Sequence, residues 1–121
     1  VKNSILIVIA TPTGAIDNVS KELKKYISDN QHICIASKGI EQNTCLFPVD
    51  VLKKHIKTDN ISVVSGGSFA VDIVNEFPIG LSVATEKEGA KELLQNWAPP
   101  VPHEAVRLRR DLRKNAQLKN R

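Results

Sequence analysis

The sequence predicts an α/β fold with a largely parallel sheet and flanking helices. Three observations predict it. Short apolar runs rich in β-branched residues recur at residues 5–10, 32–37, 61–64 and 81–84. Between them lie stretches with apolar residues at helical spacing, and strands alternating with helices in this way build parallel sheets. The 121 residues, 41% hydrophobic and 25% charged, have room for one globular core and too much apolar content for a disordered chain.

Residues 5–10 are a continuous apolar run, too short for a helix, and read as a strand buried on both faces. Pro12 ends it, because proline cannot donate a ladder bond and drives Thr11 away from the α region. Ile16, Val19, Leu23, Tyr26 and Ile27 recur at helical spacing, with Lys21, Glu22, Lys24 and Lys25 on other faces. That pattern predicts an amphipathic helix of about three turns, closed by Ser28-Asp29-Asn30. Residues 32–37 form the second strand and residues 38–44 a polar loop. Pro48 suits the first turn of a helix running to about Lys57. Residues 61–64 form the third strand, ended by Ser65-Gly66-Gly67-Ser68, and residues 69–76 a short helix. Residues 81–84 form the fourth strand, followed by a helix over residues 86–95.

The proline-rich break Ala98-Pro99-Pro100-Val101-Pro102 cannot be helical. Beyond it, residues 103–118 carry a weak apolar stripe and are expected to form a loosely attached basic helix or to be disordered. The net charge of +4 is concentrated there. Residues 1–96 hold 10 Lys or Arg against 11 Asp or Glu, and residues 97–121 hold 7 against 2. Every arginine lies in that last segment. The chain therefore divides into 1–96, one α/β domain, and 97–121, a basic tail of different character. A frameshift, a junction or a decayed gene at that point is the expected origin.

Several classes are disfavoured. No apolar run approaches the ~20 residues of a membrane-spanning helix. Cys34 and Cys45 have neither Cys-x-x-Cys spacing nor a nearby histidine pair, so neither a disulfide scaffold nor a zinc site is expected. A reducing cytoplasm is the expected location. His32, His55 and His103 are scattered and read as ordinary surface or edge residues. The tail's cations lack interleaved aromatics, so nucleic acid is not an expected partner. The chain has no Met and opens almost at once on a strand, which reads as a start partway through a domain.

Ligands of parallel α/β sheets bind beyond the carboxyl ends of the strands. Thr11-Pro12, Ser37-Lys38-Gly39 and Ser65-Gly66-Gly67-Ser68 all fall at such ends. Lys38 follows a strand and precedes a glycine. An ammonium there can neutralise a phosphate or polarise a carbonyl oxygen, although an isolated lysine is more often a solvated charge. Gly66 and Gly67 allow close backbone approach before a helix N-terminus, with Ser68 as N-cap or hydroxyl ligand. A plain strand–turn–helix is equally consistent with them. No Gly-x-Gly-x-x-Gly and no Gly-x-x-x-x-Gly-Lys-Ser/Thr occurs.

Two segments carry a resemblance. Ala36-Ser37-Lys38-Gly39-Ile40-Glu41 resembles the Ala-Thr-Lys-Gly-Leu-Glu segment of NAD(P)-dependent glycerol-3-phosphate dehydrogenases. Val64-Ser65-Gly66-Gly67-Ser68-Phe69-Ala70 resembles that family's Leu-Ser-Gly-Pro-Ser/Thr-Phe-Ala segment, at the right separation. Asn75-Glu76-Phe77-Pro78-Ile79-Gly80 is similar to its Gly-Leu-Pro-Thr-Ala element, and Ile9-Ala10-Thr11-Pro12-Thr13 to its Val-Pro-Ser strand end. The resemblance covers roughly residues 4–95. It implies a partial Rossmann-like NAD(P)-binding domain, here its second part, and hydride transfer between glycerol 3-phosphate and NAD or NADP, giving dihydroxyacetone phosphate. By the resemblance, Lys38 is catalytic and contacts both substrate and cofactor. Gly66 and Ser68 bind substrate, and Ala70, Thr11 and Pro12 adjoin the cofactor.

The departures are specific. Gly67 stands where the family has proline. The glycine-rich phosphate loop, the helical domain with the second catalytic lysine, and the arginine-containing substrate motif have no counterpart. A truncated chain, inactive alone, is therefore expected, whereas full-length members are expected to be homo-oligomers in phospholipid biosynthesis. Another dehydrogenase of the same superfamily is the nearest alternative. A non-enzymatic remnant or binding protein using the basic tail is the third.

Overall fold

The computed structural model describes residues 1–66, 70–75, 77, 80–87, 89–97 and 106–109. The chain divides into two compact units, Val1–Val63 and Val64–Arg121. Every strand pairing established among the described residues is parallel.

In the first unit the strands are β1 (Leu6–Ile9), β2 (His32–Ile35) and β3 (Ile61–Ser65), the last running on past Val63. Strand β1 pairs with β2 from Leu6↔His32 to Ile9↔Ile35, and β2 with β3 from Ile33↔Ile61 to Ile35↔Val63. Parallel neighbours need crossovers, and helices α1 (Ile16–Leu23) and α2 (Pro48–Lys53) supply them. Alternation along the strands then sorts the side chains. Ile9, Ile33, Ile35 and Ile61 join Ile16, Leu23, Val51, Leu52 and Ile56 in one buried cluster, so both helices cover the same face of the sheet. Registered positions Val8, Cys34 and Ser62 lie on the opposite face.

The structure departs from the sequence reading at identifiable points. Strand β1 is only part-buried, with Ile5 71% exposed, because it has a single partner in this unit; β2, between two strands, is the one buried throughout. A turn of 3-10 helix (Thr13–Ala15) leads into α1, which stops at Leu23, and Tyr26 is exposed. His32 is not a surface residue. It is buried, with its Nε2 3.0 Å from Ser62 Oγ, because β2 has a strand on each side and His32 shares the Cys34 and Ser62 face of the sheet. His55 is also committed: its Nε2 lies 2.6 Å from Asp17 Oδ1 and ties α1 to the turn after α2.

Two hydrogen-bonded turns fix the amino ends of the strands. Gln31, nearly buried, donates from Nε2 to the carbonyls of Val1 and Ser4, each at 2.6 Å, and accepts from the Ser28 N–H at 2.9 Å. Asn60 donates from Nδ2 to the Asp29 carbonyl at 2.6 Å.

In the second unit, α3 (Ala70–Val74), β4 (Leu81–Thr85), α4 (Ala90–Trp97) and β5 (Val106–Arg109) follow. Strand β4 pairs with β5 from Leu81↔Val106 to Ala84↔Arg109, and α4 is the crossover between them. Val83, Ala90 and Leu94 are buried. Helix α4 starts later than its apolar pattern suggests. Gly89 is left-handed (φ +88°), and the Thr85 hydroxyl accepts the Lys87 N–H at 3.2 Å, so these residues form a turn ahead of the helix. Residues 106–109 correct the expectation of a basic helix over 103–118. Val106-Arg107-Leu108-Arg109 alternates with period two, and these residues pair as a strand. The remainder of that expected helix lies outside the described residues.

Two predictions follow the packing. Lys21 Nζ and His55 Nε2 both reach Asp17 at 2.6 Å and lower its carboxyl from 3.8 to about 2. A folded-state pKa below the unfolded one means the stabilisation is complete above about pH 4 and disappears as pH falls through about 2. Asp17→Asn should therefore be slightly less stable than the unsubstituted chain near neutral pH. In urea titrations that gap should close across the acid range; a gap that ignores pH would refute the linkage. The thiols should also separate. Cys34 is fully buried and burial pushes its thiol up, whereas Cys45 is exposed. A thiol reagent should modify Cys45 in the folded chain and Cys34 only on unfolding, so prompt labelling of a Cys45→Ser variant would contradict the packing.

Candidate functional site

Because β1 and β2 run parallel and in register, their carboxyl ends emerge side by side. The Ala36 N–H still donates to the Ile9 carbonyl at 2.8 Å. Past that point side chains take over. Ser37 Oγ donates to the Thr11 carbonyl at 2.6 Å and lies 3.4 Å from the Ile9 carbonyl. Thr13 Oγ1 donates in the other direction, to the Lys38 carbonyl at 2.6 Å. Thr11, Pro12 and Lys38 are thus brought to one edge of the first unit by two residues that the sequence reading did not single out. The signal that could have found them is a hydroxyl residue within four positions of each strand's carboxyl end: Ser37 after β2 and Thr13 after β1.

The edge is polar and open. Pro12 and Lys38 are exposed, and Thr11 is half-buried, with its Oγ1 buried and unpartnered. Gly39 takes φ +100°, a conformation that costs glycine little and other residues much. Lys38 has no ion-pair partner among the described residues, so its ammonium is available to an anion or to a carbonyl oxygen.

The exit from this edge is closed by Glu41. Its carboxylate accepts from the Thr44 hydroxyl at 2.5 Å and the Thr44 N–H at 2.7 Å, and these bonds hold the carboxyl below its ordinary range. Its N–H donates to the Leu46 carbonyl at 2.9 Å, and its own carbonyl accepts the Cys45 N–H at 2.8 Å. Cys45 adopts φ +56° in this loop, an uncommon choice for a residue with a side chain. The chain then enters α2 through Pro48 at the first helical position, as the sequence predicts.

The remaining expected site residues lie in the second unit. Gly66 follows β3, and a Cβ there would run into the Gly80 carbonyl oxygen and lie 3.0 Å from Leu81 Cδ2. Its lack of a side chain therefore has a packing reason. Ala70, exposed, opens α3, whose five residues can supply only a small dipole to any anion. Ser68 lies outside the described residues.

Gly66 and Gly14 make a controlled pair. Gly66→Ala must displace backbone and should destabilise the chain by about 1–3 kcal/mol. Gly14, with open space around it, should tolerate alanine. Equal midpoints for the two variants in thermal unfolding would show that the Gly66–Gly80 approach is not tight.

The family model described as NAD-dependent glycerol-3-phosphate dehydrogenase N-terminus matches residues 1–91. A glycerol-3-phosphate dehydrogenase (NAD(P)+) of Fusobacterium nucleatum is 35% identical over 98 residues, covering 79% of this chain and 29% of that protein. The chain thus spans under a third of the length of that relative. Among solved structures, glycerol-3-phosphate dehydrogenase of Coxiella burnetii aligns with a TM-score of 0.70 at 20% identity, over 89% of this chain and 32% of that one. DsGPDH of Dunaliella salina aligns at 0.77 and 18% identity, over 93% and 20%. These structural likenesses show the fold, a Rossmann-like α/β arrangement of parallel strands and crossover helices. With three quarters of its length inside the family match, the chain belongs to the family of NAD-dependent glycerol-3-phosphate dehydrogenases, to the N-terminal part of that enzyme.

Proposed function

We propose that this chain is part of an NAD(P)-dependent glycerol-3-phosphate dehydrogenase, that Lys38 is its contribution to the reaction, and that the 121 residues alone do not turn over. The observation that carries the reading is an exposed lysine at a strand carboxyl end, on a backbone tied to the neighbouring strand end by Ser37 and Thr13.

The residues present fit one part of the cofactor's requirements. The open edge at Pro12, Lys38 and Gly39 offers a cation and an unobstructed backbone surface, which suits a phosphate-bearing ligand or a polarised carbonyl. The grip on a pyrophosphate usually comes from a glycine-rich loop, and the sequence contains none. When bound, oxidised NAD or NADP would accept the hydride from C2 of glycerol 3-phosphate, and the C2 hydroxyl proton would pass to a base or to water, giving dihydroxyacetone phosphate.

Lys38 acts in this scheme through charge. Its ammonium donates to the substrate's C2 oxygen or to a phosphate oxygen, and an interaction that strengthens as charge develops on that oxygen lowers the barrier. Thr11 and Pro12 flank the cofactor side of the edge. By the family resemblance, Gly66 and Ser68 would bind substrate and Ala70 would adjoin the cofactor. A cytoplasmic location accords with this metabolism; none of the described helices is long and apolar enough to cross a membrane.

Two measurements test the reading together. The purified chain, given glycerol 3-phosphate and NAD or NADP, should form no NADH or NADPH; turnover would show that the chain is sufficient. In an NMR titration, glycerol 3-phosphate should perturb the Lys38 and Gly39 amides, and Lys38→Ala should weaken that binding by about tenfold or more, as expected for a charge-assisted hydrogen bond. Binding that ignores Lys38→Ala would remove Lys38 from the site.

A further inference from the structure

We infer that Thr13 is a positioning residue for Lys38, acting through the Lys38 peptide and not through the ligand. The inference rests on the reading of Lys38 given above and assigns a role to Thr13, which that reading cites only as a tie between strand ends. Thr13 Oγ1 donates to the Lys38 carbonyl at 2.6 Å, across 25 residues of chain. It is the first residue of the 3-10 turn, whose Ala15 N–H donates to the Pro12 carbonyl at 2.9 Å, and that turn runs directly into α1. Helix α1 is anchored by Ile16, fully buried in the core. The Thr13 hydroxyl is therefore held by the core and holds Lys38 in turn.

The bond acts where the backbone is otherwise free to rotate. The Lys38 carbonyl belongs to the peptide leading into Gly39, and glycine allows that peptide many orientations. Gly39 takes φ +100°, and a Cβ on it would stand 3.7 Å from Thr13 Oγ1. The hydroxyl thus selects one orientation of the Lys38–Gly39 peptide. On the preceding residue, Ser37 Oγ is bonded to the Thr11 carbonyl at 2.6 Å. The two bonds run in opposite directions between the strand ends and bracket the Lys38 Cα. Lys38 is exposed and has no ion-pair partner among the described residues, so the backbone is what aims its side chain. A displacement of about 1 Å at a reacting group can cost about a hundredfold in rate, which makes an aiming bond consequential.

The experiment is a double-substitution cycle on the 121-residue chain, with Thr13→Val, Thr13→Ser, Lys38→Ala and the pair Thr13→Val with Lys38→Ala. Glycerol 3-phosphate and NADH are the probes, and NMR titration reads affinity. Thr13→Val should weaken binding about three- to tenfold, the scale of one hydrogen bond. Thr13→Ser, which keeps the hydroxyl, should restore it. In the Lys38→Ala background Thr13→Val should have no further effect, because there is no cation left to aim. Without ligand, Thr13→Val should shift the Lys38 carbonyl 13C resonance and speed exchange of the Gly39 amide. If Thr13→Val unfolds the chain, the same readings on Thr13→Ser against Thr13→Ala decide the matter.

Loss of affinity on Lys38→Ala with none on Thr13→Val overturns the positioning role alone. So does a Thr13→Val effect of equal size with and without Lys38. Unchanged affinity on Lys38→Ala, or no binding by the unsubstituted chain, overturns the reading of Lys38 and the inference with it.

Discussion

Parallel pairing of β1 with β2 is the constraint from which the rest of the first unit follows. It requires a crossover, so α1 must lie on the sheet. It also brings the two carboxyl ends out together, so residues 10–13 and 36–39 become neighbours. Main-chain ladder bonds stop at the Ala36 N–H, and beyond it two hydroxyls continue the tie. An unpaired polar backbone at a strand end would otherwise depend on water. Here the same bonds that satisfy it hold the exposed Lys38 on a fixed base.

The two faces of that sheet are built differently. One is covered by α1 and α2 through a cluster made largely of Ile, Leu and Val. On the other, Cys34 and Ser62 stand in register, and the His32 ring bonds the Ser62 hydroxyl. A buried imidazole is tolerable when its nitrogens have partners, and costly when they do not. The polar pair restricts which side chains fit beside it, so β2 and β3 are matched by hydrogen bonding as well as by shape. The covering layer has its own polar tie: Asp17 bonds both Lys21 on its own helix and His55 beyond α2.

Much of this was legible in the sequence, because hydrophobic period is a local property. The four strands and the α1 stripe follow from it, and the Pro48 start follows from proline's fit to the first helical turn. What was not legible depended on residues far apart in the chain. The burial of His32 comes from the central place of β2, which no local pattern around residue 32 reveals. The late start of α4 comes from a left-handed Gly89 inside an otherwise helical pattern. Residues 106–109 carried two periodicities at once, and pairing with β4 selected the shorter. The place of Lys38 at a strand end was legible because it stands between an apolar run and a glycine. The bond from Thr13 was not, because the carbonyl it reaches is 25 residues away.

The charge distribution sharpens what Lys38 can do. Residues 1–96 are nearly neutral, with 10 cations against 11 anions, so their own charges do not make a broad basic field around Lys38. At physiological ionic strength, screening over about 8 Å confines its attraction to its neighbourhood. Selection of an anion must therefore occur at contact, where direction matters more than net charge. A lysine side chain is long and mobile, and freezing it on binding has an entropic cost. Holding its Cα between Ser37 and Thr13 leaves only the side-chain torsions to be ordered. A single lysine can then discriminate where a cluster of loosely held cations could only attract. The two bonds therefore fix direction at the point where contact with an anion would be made.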